Sequence, residues 1–228
     1  MLIRLGHSPD PDDAFMFWAL AAGAVDTRGF EFEHVLQDIQ TLSEWAVEGR
    51  LETTAMSLAS YPRVQELYAI LPHGASMGSG YGPVVVGPRA LSQDELRETE
   101  IVVPGELTTA FLTLRLYLGE WWLAETGLPL PLGINVARRD LGGERLHDLS
   151  EVLRESIRAG LANREAAMRY AMQFGRGIDE GLADRFVGMY VNEWTRGYGP
   201  EGRRAVQTLL DRGHAAGLLP RVTADYAP

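Results

Sequence analysis

The chain has 228 residues and a formal net charge of −10; it contains no Cys, and all 21 of its basic residues are Arg. These counts exclude thiol nucleophiles, disulfides, zinc–thiolate sites and iron–sulfur clusters, lysine Schiff bases and the lysine-dependent P-loop. An excess of negative charge also repels nucleic-acid phosphates.

The hydrophobic fraction of 46% and charged fraction of 23% are ordinary for a globular protein, and the length suits one large domain or two small lobes. The apolar stretch Phe15 to Val25 has 11 residues, too few to span a bilayer. Asp10, Asp12 and Asp13 precede it, where a secretory signal carries no acids. A cytoplasmic location with no membrane association is expected.

Leu2–Gly6 reads as a buried strand. The turn-rich loop His7–Asp13 follows, and Asp12 and Asp13 open a helix over Ala14–Ala22. Alternation makes Phe30–Leu36 a half-buried strand. Thr41 is expected to cap a helix over Leu42–Glu48, closed by Gly49. Thr53–Ser57 and Tyr68–Leu71 read as short strands, with a helix over Ser60–Leu67 between them. The loop Gly74–Pro83 leads into Val84–Val86, a β-branched strand; Ser92–Arg97 is a short helix and Glu100–Val103 another strand. Thr108–Ala110 opens a helix to about Leu118, and Ile134–Ala137 is a strand. From Leu149 on, 3.6-residue apolar spacing predicts helices over 149–161, 165–174, 180–190 and 201–216. Alternating strands and helices imply an α/β fold with largely parallel sheets.

Small hydroxyl residues stand at three strand–helix junctions: Ser8, Ser57 and Thr108-Thr109. Ligands of open α/β sheets bind beyond the strands' carboxyl ends, where helix N-termini offer unpaired N–H groups to a carboxylate or phosphate. Each residue alone is also a common helix cap; together they point to a small anion in an interlobe cleft. The Ser8–Asp13 loop lacks the Gly and terminal Glu of a calcium loop, and capping accounts for its acids. His7, at a strand end beside Ser8, suits a general base by its ordinary pKa, or is a hydrogen-bonded loop residue. His34 is expected on a solvated face, and no two His have helical metal-ligand spacing. Trp121-Trp122 reads as packing or an aromatic cleft wall, and Arg138-Arg139-Asp140 as a surface group. No sustained heptad marks an oligomer, so the oligomeric state stays open.

Four blocks carry a family resemblance: Ser8-Pro-Asp-Pro-Asp-Asp-Ala-Phe15, Asp38-Ile-Gln-Thr-Leu42, Thr126-Gly-Leu-Pro-Leu-Pro-Leu-Gly133 with Ala137–Leu141, and Tyr190-Val-Asn192 with Gly202. In this order and spacing they resemble the 1,4-dihydroxy-6-naphthoate synthase family of the futalosine route to menaquinone, related to chorismate dehydratase. The resemblance implies a two-lobed, type II periplasmic-binding-protein-like α/β fold with its active site in the interlobe cleft. It implies a carbon–carbon lyase that converts cyclic dehypoxanthinyl futalosine to the naphthoate without metal or organic cofactor. Chorismate dehydratase, or a non-catalytic anion-binding protein of the same fold, are the alternatives. Ala55-Met56-Ser57 and Thr108-Thr109-Ala110 match the family's substrate-binding stretches, with Ser8 beside them.

The chain departs from the family twice. Asp12 stands where the family often has Asn. The family's catalytic His belongs to a segment of a few dozen residues that is absent between Leu118 and Gly119, which leaves His7 as the fallback base. On this reading Leu118–Gly119 is not a native peptide junction. Lobe 1 comprises residues 1–83 and 140–228, and lobe 2 is a shortened 84–139.

Overall fold

The computed structural model describes residues 1–117, 122–175 and 177–228; the Leu118–Gly119 junction and Trp121 lie outside them. One sheet organises the chain. Its strands are β1 (Leu2–His7), β2 (Glu31–Leu36), β3 (Thr53–Ser57), β4 (Tyr68–Ile70), β5 (Ser76–Gly78) and β6 (Leu130–Arg138). Their order is β2-β1-β3-β6-β4, and β5 also pairs with β6. β1 runs parallel to β2 and β3, whereas β6 is antiparallel to β3, β4 and β5. The sheet is therefore mixed rather than largely parallel. β3 and β4 are buried throughout, while edge strand β2 is partly exposed along its length, as its polar–apolar alternation requires.

The helices are α1 (Pro11–Ala21), α2 (Ile39–Val47), α3 (Gln93–Arg97), α4 (Thr109–Tyr117), α5 (Trp122–Thr126), α6 (Gly143–Ala162), α7 (Arg164–Ala171), α8 (Glu180–Tyr190), α9 (Glu193–Arg196) and α10 (Gly199–Ala215). α1, α6, α7 and α8 build one apolar core with Ile3 and Leu5 of β1. α10 packs a second core on β4 and β6 through Val206, Leu209 and Leu210. A core on each face of the sheet gives a three-layer arrangement. α6 approaches α1 closely: Ser156 Oγ donates to Met16 O at 2.8 Å, and a Cβ at Gly160 would stand 2.9 Å from Phe15 O.

Several expected boundaries move. The N-cap of α1 is Asp10, not Asp12: Pro11 supplies the first helical residue, as its fixed φ favours, and Asp12 and Asp13 fall inside the first turn. Asp38, not Thr41, caps α2, accepting from Thr41 N at 3.0 Å. Residues 58–63 form a 3-10 helix around Pro62 instead of an α-helix. Val84–Val86 and Glu100–Val103 are not strands. Among the described residues no strand lies beside them, and β-branched residues favour a strand only where they meet a half-buried pleated surface. Val84, Val86 and Val102 are accordingly 81%, 88% and 93% exposed. β6, expected in lobe 2, belongs to the main sheet because its backbone pairs with β3 and β4.

His73 sits between the sheet and α6, with Nε2 3.2 Å from Ser150 Oγ. Burial lowers its pKa to about 4, against about 6.5 in an unfolded chain. Between these values the unfolded state binds the extra proton, so this group withdraws stability as pH falls from about 6.5 to about 4. Comparing the native chain with His73→Gln in urea denaturation across that range should show the difference moving in the variant's favour as pH falls. Gly160→Val should cost about 1–3 kcal/mol in the same measurement, because the backbone of α1 has to move to admit the side chain.

Candidate functional site

The site is a cleft of about 390 Å³ at the ends of β1, β3 and β6, within the size range of small-ligand pockets. One wall is the loop from β1 into α1, with Ser8, Asp10 and Asp13. Asp10 is extended (φ −118°, ψ 154°), as a residue before proline tends to be, and the turn it makes brings Asp13 back over Ser8. Asp13 Oδ2 accepts from Ser8 N at 2.7 Å and from Ser8 Oγ at 2.8 Å. Its other carboxylate oxygen accepts no hydrogen bond among the described residues, and Asp13 lines the cleft. Burial pushes Asp13 up to about 6 against the downward pull of the Ser8 bonds. Asp12 is raised well above the carboxylate range by burial and by its neighbours Asp13 and Asp10.

The facing wall is the start of α4. Thr108 Oγ1 donates to Gly105 O at 2.7 Å and accepts from Phe111 N at 3.2 Å, so this hydroxyl is spent on the turn. Thr109 Oγ1 donates to Leu132 O at 2.7 Å and accepts from Ala59 N at 3.3 Å, tying α4 to β6 and to the turn after β3. What this stretch can offer a ligand is the N–H groups of Thr109 and Ala110, which have no intrahelical acceptor. The turn is held from α2: Leu107 N donates to Gln40 Oε1 at 3.0 Å, and a Cβ at Gly105 would collide with that side chain at 2.2 Å.

The floor is Ala55, Met56 and Ser57 of β3 against Gly133–Asn135 of β6. The Ser57 hydroxyl makes no hydrogen bond among the described residues and is available to a ligand. Asn135 is buried and donates Nδ2 to Gly74 O at 3.1 Å. Gly74 is required there: its φ is +75°, and a Cβ would lie 2.3 Å from Asn135 Nδ2. Tyr190 and Ser76 complete the rim, Tyr190 stacked edge-on against Tyr81 with centroids 5.8 Å apart.

The structure thus brings Ser8, Ala55, Met56, Ser57, Thr108, Thr109 and Ala110 into one cleft. It does not bring His7 there. His7 is 1% exposed, packs on Phe17 at 5.1 Å, and uses both ring nitrogens. The partners fix the tautomers: His7 Nδ1–H donates to Ser8 O at 3.0 Å and His34 Nδ1–H donates to His7 Nε2 at 3.0 Å. His34 Nε2 is then a buried lone pair with no partner. Burial holds both rings neutral, with pKa values lowered to about 4, so His34 is not a solvated residue. His147 and His214 are exposed on α6 and α10, and no histidine lines the cleft. Trp122 donates Nε1 to Leu128 O at 3.0 Å, and Arg138 and Arg139 pair with Asp140 and Asp225, all outside the cleft. Among the described residues no three His, Asp or Glu are grouped to hold a metal ion, and no helix is long and apolar enough to cross a membrane.

Sequence reasoning did not place Asn135 or Tyr190 in the site and read Asp13 as a first-turn acid of α1. A lone amide inside the apolar strand Ile134–Ala137 was the available signal for Asn135. Nothing local in α8 distinguishes Tyr190.

The profile of the family described as Menaquinone biosynthesis matches residues 3–120 and again 116–215. A Thermus thermophilus protein named 1,4-dihydroxy-6-naphtoate synthase is 35% identical over 262 aligned positions, covering 95% of each chain. A Streptomyces coelicolor protein of the same name is 31% identical, covering 98% of this chain and 96% of that one. A crystal structure from Archaeoglobus fulgidus, 35% identical, superposes with a TM-score of 0.85 over 96% of this chain and 98% of the other. A Candida albicans protein described as having the generic periplasmic binding protein fold superposes with a TM-score of 0.62 at 11% identity, covering 97% of this chain and 92% of that one. The fold is therefore periplasmic-binding-protein-like. With the profile matched across most of its length, the chain belongs to the Menaquinone biosynthesis family.

Proposed function

We propose that this chain is a 1,4-dihydroxy-6-naphthoate synthase, a carbon–carbon lyase acting on cyclic dehypoxanthinyl futalosine. The observation that carries the reading is the convergence of both family-matched stretches, Ala55–Ser57 and Thr108–Ala110, on one cleft, together with relatives of that name matched over nearly their whole length. Among the described residues no Arg or His lines the cleft. A substrate carboxylate is held instead by neutral donors: the α4 N-terminus and the Ser57 hydroxyl. Incubating the protein with the futalosine derivative and, separately, with chorismate should yield the naphthoate from the first and no dehydration of the second, read by mass spectrometry. A hydrogen bond to a charged group is worth about 1.5–3 kcal/mol, so Ser57→Ala should raise KM by about 10- to 100-fold; an unchanged KM removes Ser57 from the site.

The second lobe, in this reading, is residues 84–129 and is shortened by an internal deletion. An alignment of 262 positions against 228 residues opens at least 34 gap positions in this chain. The family match breaks between residues 116 and 120, and the exposed valines at 84, 86 and 102 are what a lobe without its partner strands would leave in water. Grafting the corresponding segment of the Thermus relative between Leu118 and Gly119 should slow amide exchange at residues 84–86 and 101–103; unchanged exchange refutes the deletion.

A further inference from the structure

We propose that Asp13, oriented by Ser8, is the group that takes and returns the proton of the lyase reaction in this chain. The inference rests on the functional reading above and concerns which side chain performs its acid–base step. Among the described residues, four with titratable side chains line the cleft: Asp10, Asp13, Asp38 and Tyr190. Asp38 gives one oxygen to Thr41 N and the other to Thr41 Oγ1 at 2.6 Å, and these bonds hold its carboxyl below the usual range, which makes it a weak base. The Tyr190 phenol is pushed up by burial and by the acids opposite, so it stays protonated. Asp10 is only half-buried, at the mouth of the cleft. Asp13 alone combines burial, a cleft-facing position and an anchor. Ser8 fixes Oδ2 through two donors and leaves the other oxygen to a ligand. Its pKa of about 6 keeps it ionised at neutral pH yet basic enough to accept a proton, the range in which general bases work best.

The step balances within the substrate and this one carboxyl. Asp13 takes a proton from a substrate C–H bond, and the electron pair of that bond becomes a ring double bond. The pair of the bond to the sugar-derived portion departs with that portion, which then collects the proton from Asp13. No oxidant or further reactant is needed, and Asp13 ends ionised as it began.

The test compares the native chain with Asp13→Asn and Ser8→Ala. The amide oxygen of Asn still accepts from Ser8, so the fold should persist, checked by thermal melting and by binding of the product naphthoate. Asp13→Asn should lower kcat by about 100-fold or more while product affinity changes by less than about 3-fold. In the native chain kcat/KM should fall below a pH of about 6. Ser8→Ala, which removes a bond favouring the ionised form, should move that limb to higher pH. Turnover by Asp13→Asn within about 3-fold of the native rate overturns the assignment and leaves the functional reading standing. A native chain inactive on the futalosine derivative but active on chorismate overturns the functional reading; the same two variants then decide on Asp13 with chorismate as substrate. A native chain inactive on both overturns both.

Discussion

The site depends on the backbone pairing of β6. This nine-residue strand is shared between three neighbours: β3 along Thr53–Ser57, β4 along Tyr68–Ile70 and β5 along Ser76–Gly78. Its register sets Ile134 opposite Met56 and Gly133 opposite Ser57, which fixes the cleft floor. The same strand carries Asn135, whose amide holds the Gly74 turn, and Leu132, whose carbonyl anchors Thr109. Because side chains alternate faces along a strand, a slip of one residue would turn Asn135 to the opposite face and part its amide from Gly74. Both facing walls are referenced to one hydrogen-bonded ladder.

The electrostatics of the cleft follow from what lies at each wall. The α1 side gathers three acids within one helical turn, and burial costs their charged forms enough that Asp12 and Asp13 are both raised. The α4 side offers the positive end of a helix and, among the described residues, no side-chain cation. A molecule spanning the cleft thus meets hydrogen-bond donors at one end and proton acceptors at the other. That polarity suits a substrate with a carboxylate at one end and a labile proton at the other.

The parts of this arrangement visible in the amino-acid order are those fixed by local chemistry. β1, β3 and the helices of the C-terminal third follow their apolar periodicity. Ser57 and Thr108–Ala110 announce themselves as hydroxyl groups at strand–helix junctions. Tertiary context decided the rest. Val84–Val86 has the composition of a strand, but pairing needs a neighbour that the described residues do not supply. An unperturbed imidazole has the right pKa for a base and His7 the right place in the chain, yet Phe17 and His34 close over it and burial lowers it to about 4. Asp12 and Asp13 look like capping residues because Asp is a good cap; that Pro11 starts the helix and leaves them buried is a consequence of packing against α6 and α7, which no window of the sequence contains. Thr108 and Thr109 were legible as site residues, but the backbone rather than their hydroxyls faces the ligand, since both hydroxyls are consumed in holding the turn.

The close seat of α6 on α1 has a mechanical corollary. With Gly160 against Phe15 and Ser156 bonded to Met16, α1 has little room to slide or roll, and the loop bearing Ser8 and Asp13 inherits that stiffness. Whatever enters the cleft therefore meets a carboxyl whose place is set by the helix pair behind it.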